Sequence, residues 1–229
     1  MSAIDLYARP SAAYANKLDT TVAMLQRAAE QHAGAVVQAT SLGAEDMVLT
    51  DLIARHALPI AVATLDTGAL HDETLALLPL IRARYGVEVE VFKPQHTAVI
   101  EFVSRHGDLA MRQSVELRKA CCGIRKLEPL SRMLAGRSAW VTGLRREQSD
   151  ARADVHASEA DGQGRIKFNP LANWTWGDVW HHIATHDVPC NALHDRFFPS
   201  IGCAPCTRAI AVGEDFRAGR WWWEQSSKE

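Results

Sequence analysis

The chain has 229 residues, 47% of them hydrophobic and 23% charged, enough to bury a full core in one domain. Its net charge of −2 and pI near 6.6 argue against general nucleic-acid binding. The most conspicuous apolar run, residues 75–81, is far short of a membrane span, and residues 1–18 lack the pattern of a secretory signal; a cytoplasmic, reducing setting is therefore expected, where free thiols persist.

Residues 18–32 read as a helix with Leu18, Val22, Leu25 and Ala29 on one face, residues 35–40 as a short β-rich run and residues 45–56 as a second helix. A second strand is expected over 60–65, a helix over 71–85, a third strand over 87–92, a helix over 97–106 and a fourth strand over 138–142. This alternation predicts an α/β fold, a Rossmann-like parallel sheet flanked by helices on both faces. Past Leu144 the rhythm breaks into a Gly-, Asp- and Arg-rich stretch that reads as a mobile loop up to Gly164. A strand over 165–168 follows, then a helix over 175–186 carrying Trp176, Val179, Trp180 and Ile183. The expected division is a domain over residues 1–210 and a C-terminal tail over 211–229, packed on it through Trp221, Trp222 and Trp223.

Four of the five cysteines form two tight pairs, Cys121-Cys122 and Cys203-Ala204-Pro205-Cys206. Four thiolates from two segments can close a tetrahedral zinc site or hold an iron–sulfur cluster. Cys203 and Cys206 have the spacing of a zinc half-site. Cys121 and Cys122 do not: adjacent side chains diverge by roughly 100° on a helix and 180° on a strand, so they meet a common partner more readily when it offers separate metal atoms. A four-iron cluster offers that; zinc, a vicinal or redox-active disulfide and plain buried thiols are the alternatives. Cys190, in an ordinary loop, reads as a plain thiol. Basic residues gather at Arg118/Lys119, Arg125/Lys126, Arg145/Arg146/Arg152 and Arg208/Arg217/Arg220, a distribution that suits a small anionic ligand.

Ligands of open α/β sheets bind where strands end and helices begin. At the first such junction, Ser41-Leu42-Gly43 runs into Ala44-Glu45-Asp46. Small residues there admit a phosphate to free backbone N–H groups, although the same turn also makes an ordinary helix cap with Glu45 and Asp46 favouring the helix dipole. At the second, Leu65-Asp66-Thr67-Gly68, backbone groups could read an adenine edge and Asp66 orient a hydroxyl, or the segment could be a tight turn closed by an Asx-type hydrogen bond. Among the ten histidines, only His194 is placed to neighbour a site.

These motifs, together with Cys121-Cys122-Gly123-Ile124-Arg125-Lys126, Gly143-Leu144-Arg145-Arg146-Glu147-Gln148-Ser149, Asn169-Pro170-Leu171, Leu193-His194-Asp195 and Ser200 through Arg208, resemble the sulfonucleotide reductases, specifically the iron–sulfur type that acts on adenylyl sulfate in sulfate assimilation. The resemblance covers nearly the whole chain. It implies an adenine-nucleotide alpha-hydrolase-like fold and one [4Fe–4S] cluster held by Cys121, Cys122, Cys203 and Cys206. It also implies that a cysteine thiolate attacks the sulfur of the phosphosulfate, releasing AMP and leaving an S-sulfocysteine, from which thioredoxin or a similar thiol reductant liberates sulfite. By position in the family motifs, Lys126 would lie near both cluster and substrate as a catalytic group, and Arg217 and Arg220 would reach the phosphosulfate. Arg145 and Arg146 would sit on a loop closing over the ligand, Ser41 and Gly43 in the phosphate-binding loop, and Leu65 and Gly68 around adenine. Relatives of this type often associate, so a homo-oligomer is expected.

In one place the chain departs from the family. Its members carry the nucleophile in a C-terminal Glu-Cys-Gly-Leu-His segment, whereas this chain ends Trp223-Glu224-Gln225-Ser226-Ser227-Lys228-Glu229. Glu229 looks like the Glu of that segment, so the nucleophilic Cys is expected just after it. Taken without that residue, the chain would be a non-catalytic cluster- and nucleotide-binding module. A 3′-phosphoadenylyl-sulfate reductase is a second alternative, against which the cysteine set argues. An ATP-cleaving ligase is disfavoured, because Leu42 and Glu45-Asp46 interrupt the Ser-Gly-Gly-x-Asp-Ser loop of such enzymes.

Overall fold

The computed structural model describes residues 2–225. Strands β1 (Val36–Thr40), β2 (Ala61–Leu65), β3 (Val89–Phe92), β4 (Ala139–Val141), β5 (Ser158–Ala160) and β6 (Ile166–Phe168) form one sheet in the order β3-β2-β1-β4-β6-β5. All neighbours run parallel except β5, which pairs antiparallel with β6 at the edge. The chain winds outward from β1 to β3, returns to β4 beside β1 and continues away on the other side. That reversal opens a crevice at the strands' C-terminal ends.

The helices are α1 (Ala3–Tyr7), α2 (Tyr14–Gln31), α3 (Ala44–Arg55), α4 (Asp72–Leu75), α5 (Leu77–Tyr85), α6 (His96–His106), α7 (Val115–Cys122), α8 (Glu128–Met133), α9 (Trp176–His186) and α10 (Trp222–Gln225). Among the described residues none is long and apolar enough to cross a membrane. Alternation along β1 serves both faces of the sheet. Val36 enters the main core with Leu25, Met47, Leu52, Ile81 and Trp180, while Val37 enters a smaller core with Ala63, Met133 and Leu134. Helix α9 is capped by Thr175, and its buried Asp178 accepts from Ser11 and Lys17, tying the N-terminal segment to the body.

Three expectations change. The helix expected over 71–85 breaks at Ala76 into α4 and α5, because Pro79 has no N–H for the Leu75 carbonyl and its ring would collide with it. The stretch after Leu144 is not a loop throughout. It forms turns at Arg146–Gln148 and Asp150–Arg152 and then β5, joined to β6 by a hairpin in which Asp161 accepts the backbone N–H groups of Gln163 and Arg165 and pairs the Arg165 guanidinium. The sheet is accordingly mixed rather than purely parallel. Residues 107–137, unassigned from sequence, contain α7 with its Ser114 cap, a π-helical turn at Gly123–Leu127, and α8.

Candidate functional site

The crevice is a cavity of about 770 Å³ at the exits of β1, β2 and β4. Leu65, Leu130, Met133 and Trp140 make an apolar wall; Ser41, Gly43, Glu45 and Asp46 make another wall, and Lys126, Arg152, Arg217 and Arg220 lie beyond them. The Ser41 turn is strained, with Leu42 at φ 60° and its side chain fully buried, so core packing holds a backbone conformation that ordinarily suits glycine.

Glu45 and Asp46 are both buried and do more than favour a helix dipole. Asp46 accepts from the Ser41 N–H at 2.7 Å, the Ser41 hydroxyl at 2.6 Å and the Gly143 N–H at 2.9 Å. Burial pushes its carboxyl up to about 6 against these hydrogen bonds. Glu45 accepts from Arg145 at 3.0 Å and Gln148 at 2.8 Å. The two carboxylates thus fasten the β1 exit to the β4 exit. Gly143 is required by the closeness of this contact: a Cβ there would stand 2.5 Å from Asp46 Oδ1.

The opposite pole is cationic. Arg217 and Arg220 donate to the Ser200 hydroxyl, and Arg220 also to the Ile201 carbonyl, while Arg152 donates to Gln148 Oε1. Among the described residues none of these three guanidinium groups is ion-paired to a carboxylate. Burial, and then a neighbouring guanidinium, depresses Arg152 and Arg217; Arg220 is depressed chiefly by burial. Gly202 lets the Arg220 guanidinium lie on the backbone, since a Cβ would come within 2.5 Å of it. Trp221 covers Arg220 at 5.2 Å and Arg118 at 4.5 Å, and Arg118 is paired with Glu224.

Beside this pole the four paired cysteines line a second, small cavity of about 60 Å³ that shares Cys122, Lys126, Arg220 and Trp221 with the large one. Burial raises the Cys121 thiol, and raises that of Cys206 to about 11. Thr67 Oγ1 lies 3.2 Å from Cys203 Sγ, and the Thr67 carbonyl accepts from Arg125 at 2.8 Å. Among the described residues no group of three or more His, Cys, Asp or Glu converges closely enough for one metal ion. Four thiols around a common void, rather than around a point, fit a group that offers each its own metal atom.

Of the residues singled out from sequence, Ser41, Gly43, Leu65, Lys126, Arg217, Arg220 and Cys122 line the large cavity, and Cys121, Cys203 and Cys206 line the small one. Gly68, Arg145 and Arg146 do not line either. Gly68 closes the Asx turn, donating its N–H to Asp66 at 2.9 Å. Arg145 is buried between Glu45, Glu147 and the Trp174 carbonyl, and Arg146 points to Val155 and Asn173. The position expected after Glu229 lies outside the described residues. Arg152 was visible only as one basic residue in a cluster, and Thr67 only as part of a turn; their neighbours in space come from distant segments. His194 does line the cavity, buried with Nδ1 at 2.8 Å from the Phe198 carbonyl. Cys190 packs half-buried against the main core, its thiol pushed up to about 11 by burial.

Fold and cavity together define an α/β domain of the adenine-nucleotide alpha-hydrolase type, with a cationic site at its strand ends and four thiols beside it. The profile of the phosphoadenosine phosphosulfate reductase domain matches residues 35–209, and the chain belongs to that family. It is 54% identical over 211 residues to an adenosine 5′-phosphosulfate reductase of Burkholderia cepacia, covering 92% of this chain and 84% of that one. A protein of the same name from Allochromatium vinosum is 57% identical over 190 residues, 82% of this chain and 74% of the relative. Among solved structures, the phosphoadenylyl-sulfate reductase of Candida auris in its phosphate complex superposes with a TM-score of 0.69 at 26% identity, covering 84% of this chain and 92% of that one.

Proposed function

We propose that this chain reduces adenylyl sulfate to sulfite and AMP in sulfate assimilation, with a thiol as electron donor. The observation that carries this reading is the set of half-buried guanidinium groups of Arg152, Arg217 and Arg220, without an ion pair among the described residues, opening into a nucleotide-sized cavity beside four thiols. Desolvating a cation even in part without a counter-ion is costly, and an anionic ligand relieves that cost. The relatives named above support the choice of adenylyl sulfate.

In the proposed arrangement the adenine lies on the Leu65, Leu130, Met133 and Trp140 wall and the phosphosulfate at the arginine pole. A thiolate attacks the sulfate sulfur, the S–O bond to the phosphate breaks with its electron pair, and AMP departs. Arg217, Arg220 and Lys126 hold the oxygens on which charge grows, in a site drier than bulk water. A second thiol, from thioredoxin or a similar dithiol protein, then attacks the cysteine sulfur and releases sulfite as a disulfide forms. Cys121, Cys122, Cys203 and Cys206 would hold a [4Fe–4S] cluster, whose contribution is a fixed structure and local electrostatics, the thiols supplying both reducing electrons. Lys126, on the wall common to both cavities, would face cluster and substrate together. Arg145 would support the site through Glu45 rather than touch the ligand. Residues 1–210 would form the reductase domain and residues 211–229 the tail leading to the nucleophile.

Sulfite release from adenylyl sulfate with thioredoxin tests the reading, comparing the 229-residue chain with one extended by Cys-Gly-Leu-His, both prepared anaerobically and iron-quantified. Activity in the extended chain is expected. Iron-loaded protein inactive in both forms would favour the non-catalytic binding module.

A further inference from the structure

Between the arginine pole and the cysteine expected after Glu229, the tail is fastened once more to the body. Arg118, on α7 three residues before Cys121, makes two hydrogen bonds to Glu224 of α10, Nε to Oε1 and Nη2 to Oε2, the second at 3.2 Å. This forked arrangement is the strong and directional form of an arginine–carboxylate pair, and the two side chains are only 15% and 25% exposed. Between Arg118 and Arg220 stands Trp221, its ring 4.5 Å from the first guanidinium and 5.2 Å from the second. The Trp221 backbone lies at φ 48°, which a bulky side chain rarely adopts, and its N–H goes to the Cys206 carbonyl at 3.3 Å. Such strain persists only where the surroundings over-determine it. Arg112 adds to the grip: it covers the Trp222 and Trp223 rings at 4.9 and 5.5 Å and donates to the Pro205 carbonyl.

We propose that Arg118 is a positioning residue which, through Glu224 and the Trp221 ring, aims the tail that carries the nucleophile toward the arginine pole. The inference rests on the adenylyl-sulfate reading above and on a cysteine following Glu229. Arg118 lines the large cavity, but its fork is committed to Glu224, so it acts on the reaction through the tail rather than on the ligand. Arg217 and Arg220, by contrast, have no carboxylate partner among the described residues and are left for the substrate. Five residues lie between Glu224 and the expected cysteine, a reach of roughly 20 Å at full extension. Anchored at Glu224, the thiol searches a volume fixed by that short tether, from an origin on the helix that bears Cys121 and Cys122. Released there, the tether lengthens back toward Arg220, its volume grows and its direction is lost. Attack then slows while the nucleotide-binding walls stay as they were.

The test is single-turnover release of AMP from adenylyl sulfate, without reductant, by the iron-loaded chain extended with Cys-Gly-Leu-His, as wild type, Arg118→Ala, Glu224→Gln and Arg118→Lys. Arg118→Ala and Glu224→Gln should each slow the attack by about tenfold, the order of one hydrogen-bonded charge pair, with AMP affinity and iron content at wild-type values. Arg118→Lys keeps a charge near Glu224 and should recover most of the rate. In the 229-residue chain, Arg118→Ala and Glu224→Gln should also speed amide exchange at Trp221 and Glu224, whose N–H groups bond to the Cys206 and Trp221 carbonyls. If Arg118 instead touched the ligand, Arg118→Ala would weaken AMP binding and Glu224→Gln would not slow the attack; either result would overturn the inference. Glu224→Gln alters only the tail, so its rate decides the matter even if Arg118→Ala fails to load iron. A wild-type extended chain that binds AMP but releases none from adenylyl sulfate would overturn the adenylyl-sulfate reading, and this inference with it.

Discussion

Replacing Arg145 by Ala should destabilise the protein far more than it weakens nucleotide binding. The Arg145 side chain is 1% exposed and lies 3.0 Å from Glu45, 2.9 Å from Glu147 and 5.2 Å above the Trp176 ring. Truncating it leaves the largely buried Glu45 with Gln148 as its remaining side-chain hydrogen-bond donor among the described residues. Breaking a buried pair from one side costs about 3–5 kcal/mol, a large part of a domain's net stability. For a chain of this size that is a fall in Tm of roughly 6–20 °C. Arg145→Met combined with Glu45→Gln should recover most of the loss, because no uncompensated charge remains. Arg146→Ala, on an exposed side chain, should stay within about 1 kcal/mol. Calorimetry of the iron-loaded variants, with AMP affinity measured separately below Tm, separates the two roles. An Arg145→Ala protein with unchanged Tm and a tenfold weaker affinity would refute the argument and restore Arg145 as a ligand contact.

Lys126→Ala should lower turnover by about a hundredfold while iron content holds, since the side chain belongs to the wall shared by the two cavities; an unchanged rate would defeat its catalytic role. Gly143→Ala drives a methyl group into Asp46 and Glu45 and should cost about 1–3 kcal/mol together with AMP affinity, so wild-type values of both would show that the loops are not clamped there. Asp178 is penalised by burial, but donors from Lys17, Thr175 and Ser11 outweigh this and hold its carboxyl down to about 2. A carboxylate depressed on folding contributes stability that is fully present above its ordinary value near 4 and is lost as pH falls through about 2. Asp178→Asn should therefore flatten the acid limb of the stability–pH curve by on the order of 1–2 kcal/mol, and an unaltered limb would contradict the assignment.

Much of the fold was legible in the chain because its central strands are short apolar runs punctuated by small residues and separated by amphipathic helices. Strands 36–40, 61–65 and 139–141 lie inside their expected ranges. The misreadings have local causes. Pro79 splits a helix whose apolar spacing runs on through the break, and β5, Ser-Glu-Ala, has too little hydrophobic patterning to announce an edge strand. Helix α7, which carries Cys121 and Cys122, is eight residues long with Cys121 its one buried residue, too short a run for apolar spacing to mark it.

The sequence by itself determined the alternating fold, the family and the identities of the four thiols, because each is written in neighbouring residues whose spacing or order carries the information. Tertiary structure alone decided which charges are free. Arg145 and Arg152 stand seven residues apart and look alike in the chain; folding buries one against Glu45 and turns the other toward Arg217 at the cavity. It likewise turned Asp46 from a helix-start residue into the acceptor that orients Ser41. Whether a charge meets its counter-ion depends on distances between segments about a hundred residues apart, and the electrostatic work of desolvation makes that distance decide between structural pair and binding group.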